Sequence, residues 1–495
     1  MKTLPLAASL LLTILMTAPT RAQTTYELHV EESGRDLDWS DAASWIGGVP
    51  ESYPNASTDD LLFPMHTAVH YLHVDQSELE VGTFTISGDL ANAPRLIAKS
   101  GVDATLRIGT FKHLAPSSVD SSFQIANSDG TLSIVIGTLE TSADTRLEIG
   151  HNGLQSLEGF EVTTSSHIAG RLHFSGIRNR AEGENRIQLG ALHLEATGSV
   201  MLGYRHNNTG VLEVTSLTGT GNIYLSGNSN HLGDKGTVEI HSAASTTATF
   251  AGKLRTSDRS TLPAGAENFQ LILRKKGAGT QILSSGDHDH RGGTFIEEGT
   301  LAITNTTGSG LGLGEVRVEE GGTLAGSGRL ALEKSVLVEA GGRIAPSAHL
   351  ATGVATLTLD GAGVEERPIL KIAEGGAFSF RFGENDASDS IRFTNYGAGG
   401  FTLSSTNVYL HGENVQAGEF LLFTFDYIDS TELDSLAQAF IAGDGFAGYQ
   451  ATFSSSGNTL LLNVAAIPEP GTVALGMIGL AGLWVWRRFS SPFSI

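Results

Sequence analysis

Apolar and polar side chains alternate with a period of two along most of the chain between residues 26 and 466. Clear examples are the short runs 105–108 (TLRI), 132–136 (LSIVI), 211–214 (VLEV) and 237–240 (TVEI), with Gly, Asn, Asp or Ser nearby. Such alternation is typical of β-strands, because successive side chains of a strand point to opposite faces. The pattern therefore predicts an all-β body with hardly any helix.

An internal repeat lies within this body. Residues 315–326 (EVRVEEGGTLAG) align with residues 335–346 (SVLVEAGGRIAP) at a constant offset of 20, and a looser copy starts at Thr294. A unit of this length cannot fold alone, so each copy must bury its apolar face against the next one. The repeat predicts a β-solenoid in which Val316 and Leu324 point inward, with the Gly-Gly pair turning a corner.

The stretch from 273 to 346 resembles the autotransporter-associated β-strand repeat of secreted passenger domains. The resemblance rests on the segment LRKKGAGT (273–280), a turn, and the segment GGTFIEEGTL (292–301), followed by the two aligned copies. It implies a right-handed parallel β-helix for this part of the chain.

One helix is predicted near the C-terminal end of the body. Asp429 is a candidate N-cap with Glu432 three residues later, and Gly443 is the expected stop. The residues that fall on one apolar face are Leu433, Leu436 and Phe440. We expect this helix to lie in a section that closes the far end of the solenoid.

The N-terminus has the pattern of a secretory signal peptide. Lys2 precedes a nearly continuous apolar run at 4–16, and Thr20 and Ala22 are small residues at the positions that a signal peptidase inspects. This predicts export and cleavage after Ala22.

The C-terminal end carries the sharpest motif of the chain. Pro468, Glu469 and Pro470 precede an apolar run at 472–486, which Arg487 and Arg488 follow. As a helix, this run of 15 residues is about 23 Å long, somewhat short of the hydrocarbon core of a bilayer. The arginines favour a cytoplasmic end, so the pattern predicts one transmembrane helix.

This end resembles the PEP-CTERM sorting signal of exopolysaccharide-producing Gram-negative bacteria, and Pro468, Glu469 and Pro470 match its motif. The resemblance implies recognition by an exosortase, with cleavage near the motif, and location at the outer surface or in the extracellular matrix, anchored to the membrane at least transiently. One departure is that seven residues, 489–495, follow the arginines, whereas the family usually stops sooner.

Composition narrows the possible functions. The chain has 495 residues, no cysteine, 61 glycines and a formal net charge of −22. The absence of cysteine excludes disulfides and thiolate metal sites, so stability must come from packing and backbone pairing. The negative charge argues against nucleic acid as a partner.

An aromatic pair, Trp39 and Trp45, is interpreted as a plug for the first coil of the solenoid, and a sugar-stacking platform is the alternative interpretation.

Together these features give a fold and a domain layout. The predicted fold is an all-β, right-handed parallel β-helix with a β-rich C-terminal cap and one C-terminal transmembrane helix. The predicted segments are a signal peptide at 1–22, an N-terminal β cap at 23–90, a solenoid at 91–361, a C-terminal β region at 362–466 and the sorting signal at 467–495.

Two polar segments are candidate metal sites. The run Asp287, His288, Asp289 and His290 offers ligands for zinc or another divalent ion, but neighbouring side chains of a strand diverge, so at most two converge. We interpret it as an exposed turn without a metal. The pair Asp386 and Asp389 suits a calcium turn less well than a capped turn, because its spacing matches no known calcium loop.

The chain lacks the Gly-x-Ser-x-Gly, His-Glu-x-x-His and Gly-x-x-x-x-Gly-Lys motifs. We therefore predict no catalytic residue and no cofactor, and interpret the protein as a structural or adhesive surface protein and not as an enzyme. Its expected partners are an exosortase, the membrane through the C-terminal helix, and an extracellular polysaccharide. A carbohydrate-active β-helix enzyme (a polysaccharide lyase or glycosidase) or a sugar-binding module is the alternative, since residues one coil apart can be neighbours in a solenoid.

Overall fold

The computed structural model describes residues 23–28, 36–47, 53–64, 71–87, 94–115, 121–126, 130–150, 157, 159–174, 185–203, 210–225, 235–257, 269–364, 369–397, 400–403 and 408–467. The first strands are β1 Thr24–Leu28, β2 Leu37–Asp38, β3 Trp45–Gly47, β4 Ala56–Pro64, β5 Tyr71–Val74, β6 Glu78–Ser87, β7 Arg95–Ala98, β8 Asp103–Leu114, β9 Ser121–Ala126, β10 Thr131–Thr141, β11 Thr145–Ile149, β12 Gly159–Ile168 and β13 Arg171–Phe174.

The strands of the middle section are β14 Asn185–Gln188, β15 Ala191–Leu194, β16 Ser199–Leu202, β17 Gly210–Val214, β18 Ser216–Gly219, β19 Asn222–Leu225, β20 Lys235–His241, β21 Thr247–Phe250, β22 Lys253–Arg255, β23 Gln270–Lys276, β24 Thr280–Leu283, β25 Thr294–Ile296, β26 Gly299–Ile303, β27 Val316–Val318, β28 Gly322–Gly326, β29 Arg329–Ala331, β30 Val336–Val338 and β31 Arg343–Ile344. The last elements are β32 Thr356–Asp360, β33 Leu370–Ile372, β34 Ala377–Arg381, β35 Ser390–Thr394, β36 Phe401–Leu403, β37 Val408–Glu413, β38 Gly418–Phe425, the helix α1 Ser430–Ala439, β39 Phe440–Ala442, β40 Tyr449–Ser456 and β41 Thr459–Ala466.

Parallel stacking of successive coils organises these strands into a solenoid. In the N-terminal coils a long strand pairs with the long strand one coil later, from β4 through β6, β8 and β10 to β12. After β12 this wall divides, because β12 pairs with both β14 and β15, and two ladders continue from there. The predicted all-β fold with parallel sheets is thereby confirmed.

A further wall lies beside these ladders, and it is the third wall of the coils that follow β12. It runs through β2, β5, β7, β9, β11, β13, β16, β19 and β22 as one sheet of nine strands. Beyond β22 it continues at residues 287–289, where Asp289 N donates to Leu254 O, and then through a bridge between Asp287 and Ser309. From β29 it passes through β32 and β35 to β38. The solenoid is therefore three-sided over its middle section.

The predicted register of the repeat is confirmed. Val316 pairs with Val336 and Leu324 pairs with Ile344, at the offset of 20 residues that the sequence alignment indicates. The inward-facing side chains of these strands are buried and belong to one continuous apolar core. The first Gly of each Gly-Gly pair has a positive φ, +83° at Gly321 and +77° at Gly341, as a corner requires.

Aromatic rings fill the N-terminal end of the core. Trp39 and Trp45 are 0% and 8% exposed, and their ring centroids lie 5.5 Å apart in an edge-to-face arrangement. The ring centroids of Trp39 and Phe84 lie 6.1 Å apart, and Trp39 Nε1 donates a hydrogen bond to Pro54 O. Rings buried in this way cannot stack on a sugar, so their positions support the interpretation as a plug.

The C-terminal helix is confirmed, with an earlier end than predicted. Asp429 is the N-cap and its side chain accepts from Thr431 N, while Leu433 and Leu436 are buried. The helix ends at Ala439 and not near Gly443, because residues 440–442 pair with β37 instead. After it, β40 and β41 form an antiparallel hairpin, and β41 pairs antiparallel with β38.

Within the described part of the chain, no helix is long and apolar enough to cross a bilayer. The predicted transmembrane helix at 472–486 and the predicted signal peptide at 1–22 fall outside the described residues. The same is true of Pro468, Glu469, Pro470, Arg487, Arg488 and Ala22.

Candidate functional site

The segment Asp287–His290 lies in the third wall of the solenoid, stacked on β22. Because it is extended, its side chains alternate: His288 and His290 are 3% and 0% exposed, whereas Asp287 and Asp289 face outward. The expected divergence of neighbouring side chains is seen. The expectation of an exposed turn is wrong for the two histidines, because the backbone here continues the wall.

The two aspartates connect this segment to the preceding coil. Asp287 Oδ2 lies 2.8 Å from Lys253 Nζ, and this hydrogen bond lowers the pKa of Asp287. Asp289 Oδ1 accepts from Thr256 N at 2.6 Å, and its Oδ2 lies 3.5 Å from Arg255 Nε. Both carboxylates thus have cationic partners in β22, which leaves them poorly suited to a metal ion.

The two histidines are neutral core residues. Burial lowers the pKa of His288 to about 3 and that of His290 to about 4. His288 Nδ1 accepts from Leu254 N at 3.0 Å, and His290 Nε2 lies 3.0 Å from Thr294 Oγ1. The four candidate ligands therefore face two directions, and the contacts of Asp287, His288 and Asp289 join this segment to the preceding coil.

Asp386 and Asp389, the pair considered for calcium and interpreted as a capped turn, also lie in two different environments. Asp386 is exposed, with a φ of +58°, whereas Asp389 is buried and 1% exposed. The carboxylate of Asp389 accepts hydrogen bonds from the chain on two sides, as Ala355 N and Arg381 N both donate to it. This geometry fits the interpretation as a capped turn.

Ion pairs join several coils along the ladder of β14, β17, β20 and β23. Glu239 Oε2 lies 2.6 Å from Arg186 Nη1, and Glu239 Oε1 lies 3.0 Å from Lys276 Nζ. Burial by itself raises the pKa of Glu239, but the hydrogen bonds from Arg186, Lys276 and His241 outweigh burial and hold that pKa at about 2. These residues belong to β14, β20 and β23, and β17 lies between β14 and β20 in the ladder, so the pairs span four successive coils.

A cleft of about 900 Å³ near the C-terminal end is the natural place to look for a sugar site. Its charged lining residues include Arg381, Glu384 and Glu413. Arg381 is already engaged, since its Nε lies 3.1 Å from Glu413 Oε2 and its Nη1 donates to Leu350 O. The aromatic residue of the lining, Phe382, is 2% exposed and so offers no stacking surface.

The fold also brings together a group of polar residues that no sequence motif indicates: His167, His193 and Glu195. The two histidines are 26 residues apart in the sequence, and they become neighbours because His167 of β12 pairs in register with His193 of β15. Neighbouring coils have different lengths at this point, so no constant spacing in the sequence signals the pairing.

Comparison with known families identifies two parts of the chain. Residues 466–488 match the PEP-CTERM protein-sorting motif, and residues 273–303 match the passenger-associated-transport-repeat. No curated protein matches the chain. Both resemblances seen in the sequence are thereby confirmed, and neither family is an enzyme family.

The two matches define an exported cell-surface protein. More particularly, the chain carries a PEP-CTERM sorting motif and a passenger-type repeat, and the motif implies recognition by an exosortase-type sorting system. The repeat match runs from β23 to β26, which is more than one coil of the solenoid, and it includes the segment Asp287–His290. The sorting match begins at Ala466, the last residue of β41.

Proposed function

We propose that the protein is a stiff structural scaffold at the surface, or in the extracellular matrix, of a Gram-negative bacterium, and that an exosortase processes it at Pro468, Glu469 and Pro470. The observation that carries the proposal is the junction at Ala466. There the last strand of the described residues ends and the sorting match begins. An enzyme that reads the motif would then act on the segment that follows the folded body in the sequence.

The dimensions of the body suit a spacer. Fourteen of the described strands form one continuous parallel ladder. In order along the ladder they are β4, β6, β8, β10, β12, β14, β17, β20, β23, β25, β27, β30, β33 and β36. Thirteen steps of about 4.8 Å give a rod about 60 Å long. A continuous core and cross-coil ion pairs make such a rod resist bending, and the net charge of −22 keeps copies apart. A matrix polysaccharide is the partner that this location supplies.

Mass spectrometry of the C-terminal peptide tests the sorting step. The protein is recovered from the producing cells and from their medium. We expect a chain that ends near residues 468–471 and lacks the apolar run 472–486. Peptides that reach Ile495 in the membrane fraction, with none that end near the motif, would contradict the proposal.

A matched pair of variants shows whether the motif directs this processing. Glu469→Ala changes the central residue of the motif, and we expect it to leave the chain uncut. Glu419→Ala changes a glutamate in β38, within the folded body, and should be processed like the natural protein. Equal processing of both variants would remove the motif from the proposal.

A further inference from the structure

Two histidines from successive coils are stacked on the outside of the solenoid. His167 in β12 pairs in register with His193 in β15, and their ring centroids lie 4.8 Å apart with an angle of 24° between the planes. Glu195 follows β15 and faces both rings. The parallel register imposes this arrangement, because residues that pair in a parallel ladder lie side by side on the same face.

The distances among the three side chains match the spacing of ligands around a small cation. His167 Nε2 lies 3.1 Å from Glu195 Oε1, and His193 Nε2 lies 3.4 Å from the same oxygen. A tetrahedral zinc ion bound at about 2.0–2.1 Å to each ligand needs ligand atoms about 3.4 Å apart. One ligand atom from each residue lies within 4.8 Å of the others. An ion therefore requires only a small adjustment of the side chains.

A residue of the next coil is placed to support the tautomer that a metal needs. Thr218 Oγ1 donates to Leu192 O at 3.3 Å, which leaves its oxygen as an acceptor. His193 Nδ1 lies 3.0 Å from this Oγ1, so Nδ1 can donate its proton to the threonine oxygen when Nε2 gives its lone pair to a metal ion. Hydrogen bonding of the second ring nitrogen is the usual way in which proteins orient a histidine ligand.

A second group of similar composition is poorly suited to a metal ion, because cationic side chains already bind its carboxylate. Glu213, Glu239 and His241 also lie close together on the wall. Arg186 and Lys276 already occupy the Glu239 carboxylate, and their positive charges oppose a metal ion. Among the described residues, the ion-pair partners of Glu195 are the two histidines themselves.

We propose that His167 Nε2, His193 Nε2 and the Glu195 carboxylate bind one divalent transition-metal ion of the zinc class. Imidazole and carboxylate together suit zinc, whereas calcium and magnesium prefer oxygen ligands alone. The three side chains are between 40% and 52% exposed, so an ion reaches them from solvent and a fourth position stays open. A cleft of about 420 Å³ beside His167 gives room for that position. The bound ion cross-links two coils of the rod.

Calorimetric titration with zinc chloride tests the site. It uses the full chain without a histidine tag, stripped of metal with a chelator. We expect one zinc ion per chain, and no binding at this site in the double variant His167→Ala/His193→Ala. Because both rings are partly exposed, the double variant should fold, and its circular dichroism spectrum and metal-free melting temperature check this.

Two further variants separate this site from the alternatives. His241→Ala changes the second group and should keep zinc binding unchanged. Thr218→Val keeps all three ligands but removes the acceptor for His193 Nδ1, and we expect about 10-fold weaker binding. The proposal is overturned if the natural chain binds no zinc, if the double variant still binds it with equal affinity, or if His241→Ala abolishes binding.

Discussion

The Asp389 carboxylate accepts a hydrogen bond from the Ser347 hydroxyl at 2.6 Å, although the two residues are 42 positions apart. Its second oxygen accepts from Ala355 N at 2.8 Å, and Arg381 N donates to the first oxygen at 3.0 Å. Burial raises the pKa of Asp389, while these donors favour its charged form. The carboxylate of Asp389 thus holds the loop 345–355, between β31 and β32, against the next coil.

Replacing this carboxylate should destabilise the C-terminal coils. Asp389→Asn keeps the shape but turns an NH2 group towards backbone donors, and a buried N–H without an acceptor costs about 1–3 kcal/mol. We expect a loss of that size in the free energy of unfolding, measured by urea denaturation of the full chain. Asp386→Asn is the control, because Asp386 is exposed in the same turn and should change stability by less than about 0.5 kcal/mol.

The two glycines of the repeat corner serve different purposes. Gly321 has a φ of +83°, and a Cβ there would meet only Glu297 O at 3.7 Å. At Gly322 a Cβ would lie 2.0 Å from Ile296 O, the backbone of the preceding coil. The first glycine is needed for its conformation, and the second is needed because neighbouring coils approach closely.

Alanine at these two positions should therefore have unequal effects. Gly321→Ala adds the strain of a left-handed conformation, about 1 kcal/mol. Gly322→Ala forces two backbones apart and should cost about 3 kcal/mol or more. Thermal unfolding and hydrogen exchange of peptides covering 294–346 measure both, with faster exchange expected for Gly322→Ala. An equal loss in the two variants would refute the distinction.

The accuracy of prediction from sequence followed the regularity of the coils. Val316 and Val336 could be paired because both copies have the same length and the same Gly-Gly corner. His167 and His193 could not be paired in this way. Nearby coils differ in length, with 28 residues between Leu106 and Ile134, and a bulge shifts the register after Ile136.

The candidate metal segment shows a second limit. All four residues of the segment Asp287–His290 are polar, so the sequence of this segment indicates a turn. Its burial depends on a partner 34 residues away, Leu254 N, which donates to His288. Such a tertiary contact leaves no local pattern in the sequence. The helix after Asp429 was predictable because its N-cap and apolar face are local features.

The buried Glu239 should make the rod sensitive to strong acid. Its pKa of about 2 lies below the ordinary value of 4.5, so the folded state binds its proton less tightly than the unfolded state does. The resulting stability is present above pH 4.5 and is lost as the pH falls towards 2. The shift corresponds to about 3 kcal/mol.

The variant Glu239→Gln should remove this part of the acid response. We expect a lower free energy of unfolding than the natural chain at pH 7, and a difference that shrinks between pH 4.5 and 2. Urea denaturation at a series of pH values measures it. Glu213→Gln is the matched control, since Glu213 is more exposed and pairs with Arg186 alone among the described cations. A constant difference across the pH range would contradict the assignment.

The buried His113 should weaken the fold at milder acidity. It is 0% exposed, and burial lowers its pKa from 6.5 to about 3. The unfolded chain therefore takes up a proton below pH 6.5 that the folded chain refuses, and stability falls as the pH drops from 6.5 towards 3. At pH 5 this amounts to about 2 kcal/mol.

Two variants test the role of His113 in that response. His113→Gln has no group that titrates in this range, so its free energy of unfolding should decline by about 2 kcal/mol less than that of the natural chain between pH 7.5 and 5. Ser121→Ala removes the hydroxyl that lies 2.9 Å from His113 Nε2 but keeps the imidazole, so it should retain the natural pH dependence at a lower overall stability. If His113→Gln followed the same pH profile as Ser121→Ala, the acid response would arise elsewhere in the chain.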